Sequence, residues 1–412
     1  MKAEDKFIIS TARTEIEEEV VLELLAQKLD WDYVVRAAAL NRLDGLIFHS
    51  LDRLDVFEKL PEAIRKKFEE RYRRTVVSTR IYLAVAEKLL ADFARRELEV
   101  LLLRGLALGA TVYGNSYLRP FSDLDLLIRK DDFGAARQIF REHGFAPPAG
   151  LLPERYFLKY HLHLQLRQKE RGVVAEIHWL LDHPYSLYTV DYSRLFRERK
   201  EAEFSGVKLP VLNPDDRLLA LCLHFFKHCP FLPGLIGEDD FLRLLLRGKW
   251  LIWLLDIYET LVSGSDELNW ERIRGKANDW NLERQLAFCL AAVKRVYKLS
   301  LPSSAEYRSL PVHMKYPEKN IYQLQLRHLR GEGNPARAGR FLFALRPDAV
   351  FRPLRILDLL KSFLPPPAYL RKRYRLPSAL LAAAYVWHLI KQVCHSLSNL
   401  GAFAYYSALS KF

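Results

Sequence analysis

The sequence predicts an α+β protein in which a small mixed β-sheet lies between large helical N-terminal and C-terminal regions. Three observations indicate this class. Apolar residues recur at helical spacing before residue 97 and after residue 213. Short apolar or alternating runs, which are typical of strands, lie between these two positions. Half of the 412 residues are hydrophobic, so the chain can bury a large core.

The chain is expected to divide into two or three lobes, because a single hydrophobic core rarely grows beyond about 250–300 residues. Four regions are predicted along it from the residue patterns. Residues 1–97 form a helical N-terminal region, and residues 98–212 form the mixed core. Residues 213–300 form a helical region that packs on the core, and residues 301–412 form a C-terminal linker and helical region.

The helical regions are predicted from apolar residues spaced three and four positions apart. In the N-terminal region this spacing occurs in Glu15–Leu25 and in Tyr82–Phe93. After the core it occurs in Asp215–Phe226 and Lys249–Leu261, and a last helical stretch is expected over residues 377–409.

The first half of the core is predicted as strand, helix, strand and helix. The apolar run Leu98–Leu103 indicates a buried strand that ends at the Arg104-Gly105 turn. A short helix is expected over Leu106–Tyr113 and a second strand over Asp123–Ile128. An amphipathic helix follows over Lys130–Gly144.

The second half of the core is predicted as a β-hairpin. His161–Leu166 alternates polar and apolar residues, which is typical of a strand with one buried face. Lys169–Gly172 is the expected turn, and Val173–Trp179 is a further core strand that pairs with the previous one.

Charge and cysteine content narrow the class of protein. With 63 Lys and Arg against 50 Asp and Glu, the net charge of +13 favours polyanionic partners such as nucleic acid, nucleotide phosphates or an anionic membrane surface. The apolar stretch Ala379–Trp387 is too short to span a bilayer, so no transmembrane segment is expected. The four cysteines lack metal-ligand spacing and predict reduced thiols in a cytoplasmic protein: Cys222, Cys229, Cys289 and Cys394.

The most informative motif is Asp123-Leu124-Asp125, at the start of the second predicted strand. Because side chains alternate along a strand, both carboxylates point to one face, about 7 Å apart along the backbone. Carboxylates on a rigid strand suit metal-assisted phosphoryl or nucleotidyl transfer. The same spacing in Asp30-Trp31-Asp32 precedes a helix pattern, where an N-cap or first-turn acid is the simplest interpretation.

A third acid completes a candidate metal site. Glu176 and His178 project to one face of their strand, so three carboxylates converge if this strand lies beside the Asp123 strand. Such a site would hold two Mg²⁺ or Mn²⁺ ions, with Asp125 bridging both. His178 either orients a ligand or is a structural histidine.

The Arg104-Gly105 turn is a candidate site for the β and γ phosphates, since it opens onto a helix N-terminus. Arg104 and Arg119 are candidate bidentate phosphate ligands, with Ser122 as a further candidate contact beside the first acid. A loop salt bridge is an equal alternative for Arg119.

The order of these elements resembles the uncharacterised nucleotidyltransferase family of the polymerase-β-like superfamily. The Leu221, His224 and His228 pattern after the core is also similar. The resemblance implies the nucleotidyltransferase fold, divalent-metal dependence and an NTP donor, and it matches the acidic triad to Asp123, Asp125 and Glu176. The turn departs from the family pattern, because Gly105-Leu106 stands where Gly-Ser or Gly-Gly is usual, and Arg104 stands where Lys is usual.

Two alternatives remain open beside a nucleotidyltransferase with a nucleic-acid, protein or small-molecule acceptor. One is a catalytically degenerate nucleotidyltransferase fold that binds nucleic acid or regulates a partner. The other is a metal-dependent glycosyltransferase, which also uses Asp-x-Asp but needs an α/β nucleotide-binding half before the motif. The helical pattern before residue 98 argues against that class.

Overall fold

The computed structural model describes residues 2–115, 117–148, 153–184, 186, 188–228 and 238–305, with isolated positions at 367, 370, 383 and 385–387. The predicted linker and helical stretch after residue 305 therefore lie mostly outside the described residues. Two compact units are present. The larger comprises Met1–Pro148, Gln165–Leu181 and Thr189–Leu310, and the smaller comprises Ala149–Leu164, Asp182–Tyr188 and Pro311–Phe412.

The N-terminal region is helical, as the sequence predicts. Its helices are α1 (Ala3–Thr11), α2 (Glu18–Leu25), α3 (Trp31–Asn41), α4 (Asp44–Arg53) and α5 (Glu62–Arg95).

The Asp30-Trp31-Asp32 pair has the structural role expected of it. The Asp30 carboxylate accepts the backbone N–H of Tyr33 at 3.0 Å and caps α3. Asp32 is exposed in the first turn of the same helix, where the helix dipole stabilises a carboxylate. The spacing of two acids alone therefore does not indicate a metal site.

A seven-stranded mixed sheet lies at the centre of the fold, which confirms the predicted α+β class. The strand order is β3-β4-β5-β2-β1-β7-β6. The strands are β1 (Val100–Leu102), β2 (Leu124–Ile128), β3 (Phe145–Ala146), β4 (His163–Gln168), β5 (Val174–His178), β6 (Lys200–Phe204) and β7 (Val207–Val211).

Strand β2 occupies the middle of the sheet and is buried along its whole length. It pairs antiparallel with β1 and parallel with β5. Strand β4 is the neighbour of β5, as the predicted hairpin requires. Because β2 has partners on both sides, its backbone is fixed in position, and so are the side chains at its N-terminal end.

Four helices connect the strands and nearby segments. The predicted amphipathic helix is shorter than expected, because residues 130–132 form a 3₁₀ turn before it begins. The helices are α6 (Leu106–Thr111), α7 (Phe133–Glu142), α8 (Glu154–Tyr160), which belongs to the smaller unit, and α9 (Tyr192–Arg197).

Helices follow the sheet in the second half of the larger unit. Helix α10 packs against α12, α13 and α14. Cys222 and Cys289, the two cysteines within the described residues, are buried and reduced, as expected, whereas Cys229 and Cys394 lie outside the described residues. Among the described helices, none has the length and apolar character needed to cross a membrane. These helices are α10 (Pro214–His228), α11 (Glu238–Gly248), α12 (Leu251–Ser263), α13 (Trp270–Asp279) and α14 (Glu283–Tyr297).

Candidate functional site

The parallel pairing of β2 and β5 brings the predicted acids together. In the register of these strands Asp125 lies opposite Glu176. The sequence predicts that the acids converge only if these two strands are adjacent, and the structure confirms that they are. Side chains separated by two positions share a face of a strand, so Asp123 and His178 extend the same polar face.

His178 connects two of the carboxylates. Its Nε2 lies 3.0 Å from Asp125 Oδ1 and 3.3 Å from Glu176 Oε2. Because both neighbours are hydrogen-bond acceptors, Nε2 carries a proton and donates to them. The amide of Gln165 donates to the other oxygen of Glu176 at 3.2 Å. His178 therefore holds the Asp125 and Glu176 carboxylates together, and a role in orienting a metal ligand stays a prediction.

Asp125 also forms a bidentate ion pair with Arg104. The guanidinium donates from Nε to Oδ2 at 2.9 Å and from Nη2 to Oδ1 at 2.6 Å. Asp125 is only 6% exposed, so this pair lies in a low-dielectric environment. Burial opposes ionisation of Asp125, but Arg104 and His178 outweigh it and hold the pKa of the carboxyl well below its usual range.

Asp123 has the opposite electrostatic environment. Burial and the charges of Asp125 and Glu176 raise the pKa of Asp123 to about 6. In His178, burial opposes protonation, but hydrogen bonds to Asp125 and Glu176 outweigh it and raise the pKa of the imidazole. The site therefore concentrates negative charge that a bound cation would neutralise.

Helix α10 contacts the site through His224. Arg104 Nη1 lies 2.7 Å from His224 Nδ1. Burial, together with the charge of Arg104, holds the pKa of His224 well below its usual value. The imidazole is therefore neutral, and its Nδ1 accepts a hydrogen bond from the Arg104 guanidinium. Its ring packs against His228 and Trp253, with centroids 4.7 Å and 4.9 Å away.

Arg119, a predicted nucleotide ligand, lies in a buried ion pair. Its Nε and Nη2 donate to the two oxygens of Asp256 at 2.8 Å and 2.6 Å, and Nη1 donates to the Pro120 carbonyl at 2.6 Å. Tyr113 donates to the same carboxylate at 2.6 Å. This is the salt-bridge alternative that the sequence left open for Arg119.

The predicted phosphate turn has a tight geometry. Gly105 has φ +49°, a conformation that favours glycine. A Cβ at this position would lie 3.0 Å from the side chain of Phe121, so Phe121 covers the Cα of the turn. The helix that follows, α6, has only six residues. The structure therefore accounts for Gly105 by packing, and a phosphate-binding role for the turn stays a prediction.

Ser122 is exposed beside Asp123 and has a partner that the sequence did not indicate. Arg42, at the C-terminal end of α3, donates from Nη2 to Ser122 Oγ at 3.3 Å. The hydroxyl of Tyr82 donates to the Ser122 carbonyl at 2.5 Å. No local pattern around Arg42 distinguishes it from other surface arginines, because only the tertiary fold brings α3 to this loop.

The donor set fits a hard divalent cation. Carboxylate oxygens are the ligands that Mg²⁺ and Mn²⁺ prefer, and Asp123, Asp125 and Glu176 supply them on one face. Among the described residues Asp125 Oδ2 accepts a hydrogen bond from Arg104, and a carboxylate oxygen has a second lone pair that can bind a metal ion. The elevated pKa of Asp123 is consistent with a site that is electrostatically incomplete without a cation.

Comparisons with known proteins identify one family. The sequence model of the family described as uncharacterised nucleotidyltransferase matches residues 27–298, well over half of the chain. No curated protein sequence matches the chain significantly.

A search of solved structures matches two structures of one protein to part of this chain. The crystal structure of ANT(2")-Ia in complex with adenylyl-2"-tobramycin has 13% identity and a TM-score of 0.31, and the match covers 48% of this chain and 95% of that one. The solution structure of the antibiotic-resistance factor ANT(2")-Ia has 11% identity and a TM-score of 0.31, with 53% and 97% covered.

Proposed function

The chain belongs to the uncharacterised nucleotidyltransferase family, and on that premise we propose that it is a metal-dependent nucleotidyltransferase. It transfers a nucleoside monophosphate from an NTP to an acceptor hydroxyl. One observation carries this proposal: Asp125 and Glu176 lie opposite each other on adjacent parallel strands, with Asp123 two residues away on the same face.

Asp123, Asp125 and Glu176 are the residues that would hold two Mg²⁺ or Mn²⁺ ions. Metal ions held by these residues would neutralise charge on the phosphates and would lower the pKa of the attacking hydroxyl. Three carboxylates in one half-buried pocket repel one another, and their use as metal ligands explains why the chain tolerates that repulsion.

The surrounding residues preorganise this site. Arg104 fixes the orientation of Asp125 with two hydrogen bonds, and His224 fixes Arg104 in turn. His178 holds Asp125 and Glu176 at similar distances from one nitrogen. Such supporting contacts keep ligand groups close to productive geometry, so that little reorganisation is needed when substrate binds.

The acceptor in this proposal is anionic, with nucleic acid as the leading class. An anionic acceptor is favoured because the net charge of +13 attracts polyanions at a distance. The donor is an NTP.

One observation favours a second candidate, a degenerate nucleotidyltransferase fold that binds nucleic acid or regulates a partner. Both oxygens of Asp125 are engaged by Arg104, and Phe121 packs over the Gly105 turn. A protein without transferase activity would use the Arg104–Asp125 pair as a permanent structural contact. The retention of all three carboxylates favours the enzyme.

Transfer of labelled nucleotide tests the proposal. The full-length protein is incubated with each α-labelled NTP, Mg²⁺ and a cell lysate, and label is measured in RNA, protein and small-molecule fractions. We expect Asp125→Ala to reduce transfer at least about 100-fold, since it removes a carboxylate that would hold the metal ions. Asp32→Ala, from the acid pair of the same spacing, should transfer label like the wild type.

Transfer by Asp125→Ala at the wild-type rate would contradict the enzyme proposal. Absence of transfer by the wild-type protein, together with salt-sensitive RNA binding, would favour the degenerate fold.

A further inference from the structure

Three arginines among the described residues lie close enough to Asp123 for their charges to interact: Arg42, Arg104 and Arg119. They differ in how fully their guanidinium groups are occupied. This difference indicates which of them is available to an incoming anion.

Two of the three arginines already have all their nitrogens engaged. Arg104 uses Nε and Nη2 on Asp125 and Nη1 on His224. Arg119 uses Nε and Nη2 on Asp256 and Nη1 on a backbone carbonyl. Recruiting either one to a phosphate would leave a buried carboxylate without its counterion, which is strongly unfavourable.

Arg42 is in a different position. It is exposed, and among the described residues its guanidinium donates one hydrogen bond, of 3.3 Å, to the hydroxyl of Ser122. A hydrogen bond of this length to a neutral, exposed hydroxyl contributes little, so it can be exchanged for a phosphate oxygen. The planar guanidinium fork matches two phosphate oxygens, which a single Ser hydroxyl does not.

We infer that Arg42 binds the polyphosphate of the NTP and so brings the N-terminal helical region into the active site. The inference rests on the proposed nucleotidyltransferase function and extends it to a residue outside the sheet. Its basis is the exchangeable Arg42–Ser122 contact beside Asp123, while the other two arginines near Asp123 are fully paired.

The charge balance of the site favours such a residue. A nucleoside triphosphate brings several negative charges into a pocket that already has three carboxylates, and two divalent ions offset only part of the total. A cation on the solvent side of the acids can pair with phosphates without disturbing the metal ligands. Arg42 lies on this solvent side, because it is exposed and contacts Ser122, an exposed residue directly before Asp123.

The backbone at Arg42 allows a test that separates binding from folding. Arg42 ends α3 in a left-handed conformation, with φ 59° and ψ 39°, where glycine is preferred. Arg42→Gly therefore removes the guanidinium and also removes the strain of a left-handed backbone at a non-glycine residue. The midpoint of urea unfolding should stay the same or rise. Lys298→Gly is the matched control, because it removes one positive charge at a left-handed C-cap on α14.

The experiment measures binding of inorganic tripolyphosphate to the full-length protein with Mg²⁺, by calorimetry, in the wild type, Arg42→Gly, Arg42→Lys and Lys298→Gly. We expect Arg42→Gly to weaken binding about 10- to 100-fold, as for loss of charge-assisted hydrogen bonds. Arg42→Lys should recover part of this loss, and Lys298→Gly should bind like the wild type.

Two outcomes separate the inference from the function beneath it. If the wild type binds tripolyphosphate and Arg42→Gly binds equally well, the role of Arg42 is overturned while the transferase proposal stands. If the wild type binds neither tripolyphosphate nor any NTP with Mg²⁺, the proposed function fails, and the inference fails with it.

Discussion

The guanidinium of Arg119 shows why an arginine near a candidate site need not bind substrate. Arg119 is 4% exposed and Asp256 is 1% exposed, and the two form a bidentate pair to which Tyr113 also donates. A pair of this kind is retained because each charge, once buried, depends on the other.

Arg119→Met should therefore destabilise the protein strongly. Removal of the guanidinium leaves the Asp256 carboxylate buried without a counterion, and we expect the free energy of unfolding to fall by about 3–5 kcal/mol. Urea unfolding of the full-length protein measures this change. The control is Arg73→Met, which breaks an exposed pair with Glu69 and should change stability by less than about 1 kcal/mol.

The same variant separates the two roles that the sequence allowed for Arg119. If Arg119→Met keeps wild-type stability but binds NTP more weakly, Arg119 is a nucleotide ligand and not a structural partner of Asp256.

At the scale of elements, a buried carboxylate links the N-terminal segment to helix α12. Glu259 lies on α12 with no exposed surface, and it accepts the backbone N–H of Thr14 at 2.8 Å and its hydroxyl at 2.5 Å. Burial outweighs these hydrogen bonds and raises the pKa of Glu259 to about 7 from 4.5. The contact between the two elements therefore depends on pH.

The direction of that dependence follows from the raised pKa. A carboxyl whose pKa is higher in the folded state contributes stability below its unfolded pKa, and this contribution is lost as the pH rises through the folded pKa. Relative to Glu259→Gln, which cannot ionise, the wild type should lose about 3 kcal/mol of stability between pH 4.5 and 7.

Urea unfolding of both proteins across this pH range checks the prediction. Glu271→Gln, which removes an exposed carboxylate from α13, controls for a general effect of charge. A stability difference between wild type and Glu259→Gln that stays constant from pH 4.5 to 7 would contradict the assignment.

The whole molecule shows which features were predictable from local sequence. Strands β2 and β5 were identified because each contains a short apolar run, and β4 because its polar and apolar residues alternate. The pair Asp123 and Asp125 was identified because side chains two positions apart share one face of a strand. Local pattern does not show which strands pair with each other. From the sequence, the three acids converge only if β5 lies beside β2, and this pairing is known only from the structure.

The hairpin of β6 and β7 was missed, and its physical character explains why. β6 lies at the edge of the sheet and is largely exposed, so it lacks an apolar run. A signal was present in Ser205-Gly206, which have φ 50° and 83° and form a tight turn between the strands.

The contacts of the arginines around the site could not be predicted from the sequence, because their partners are distant in the chain. Arg119 and Asp256 are separated by 137 residues, and Arg42 and Ser122 by 80 residues. Nothing in the composition of either segment distinguishes these arginines from the other basic residues of a chain with 63 of them. Only tertiary structure shows which arginines are paired and which is exchangeable.

We propose above that Asp123, Asp125 and Glu176 bind an NTP through divalent metal. Equilibrium dialysis of α-labelled NTPs against the full-length protein, with Mg²⁺ or with EDTA, tests this binding. We predict that wild-type affinity is at least about tenfold higher with Mg²⁺, and that this ratio falls to near one in Asp123→Asn and Glu176→Gln. Equal affinity with Mg²⁺ and EDTA in the wild type, or an unchanged ratio in both variants, would contradict the claim.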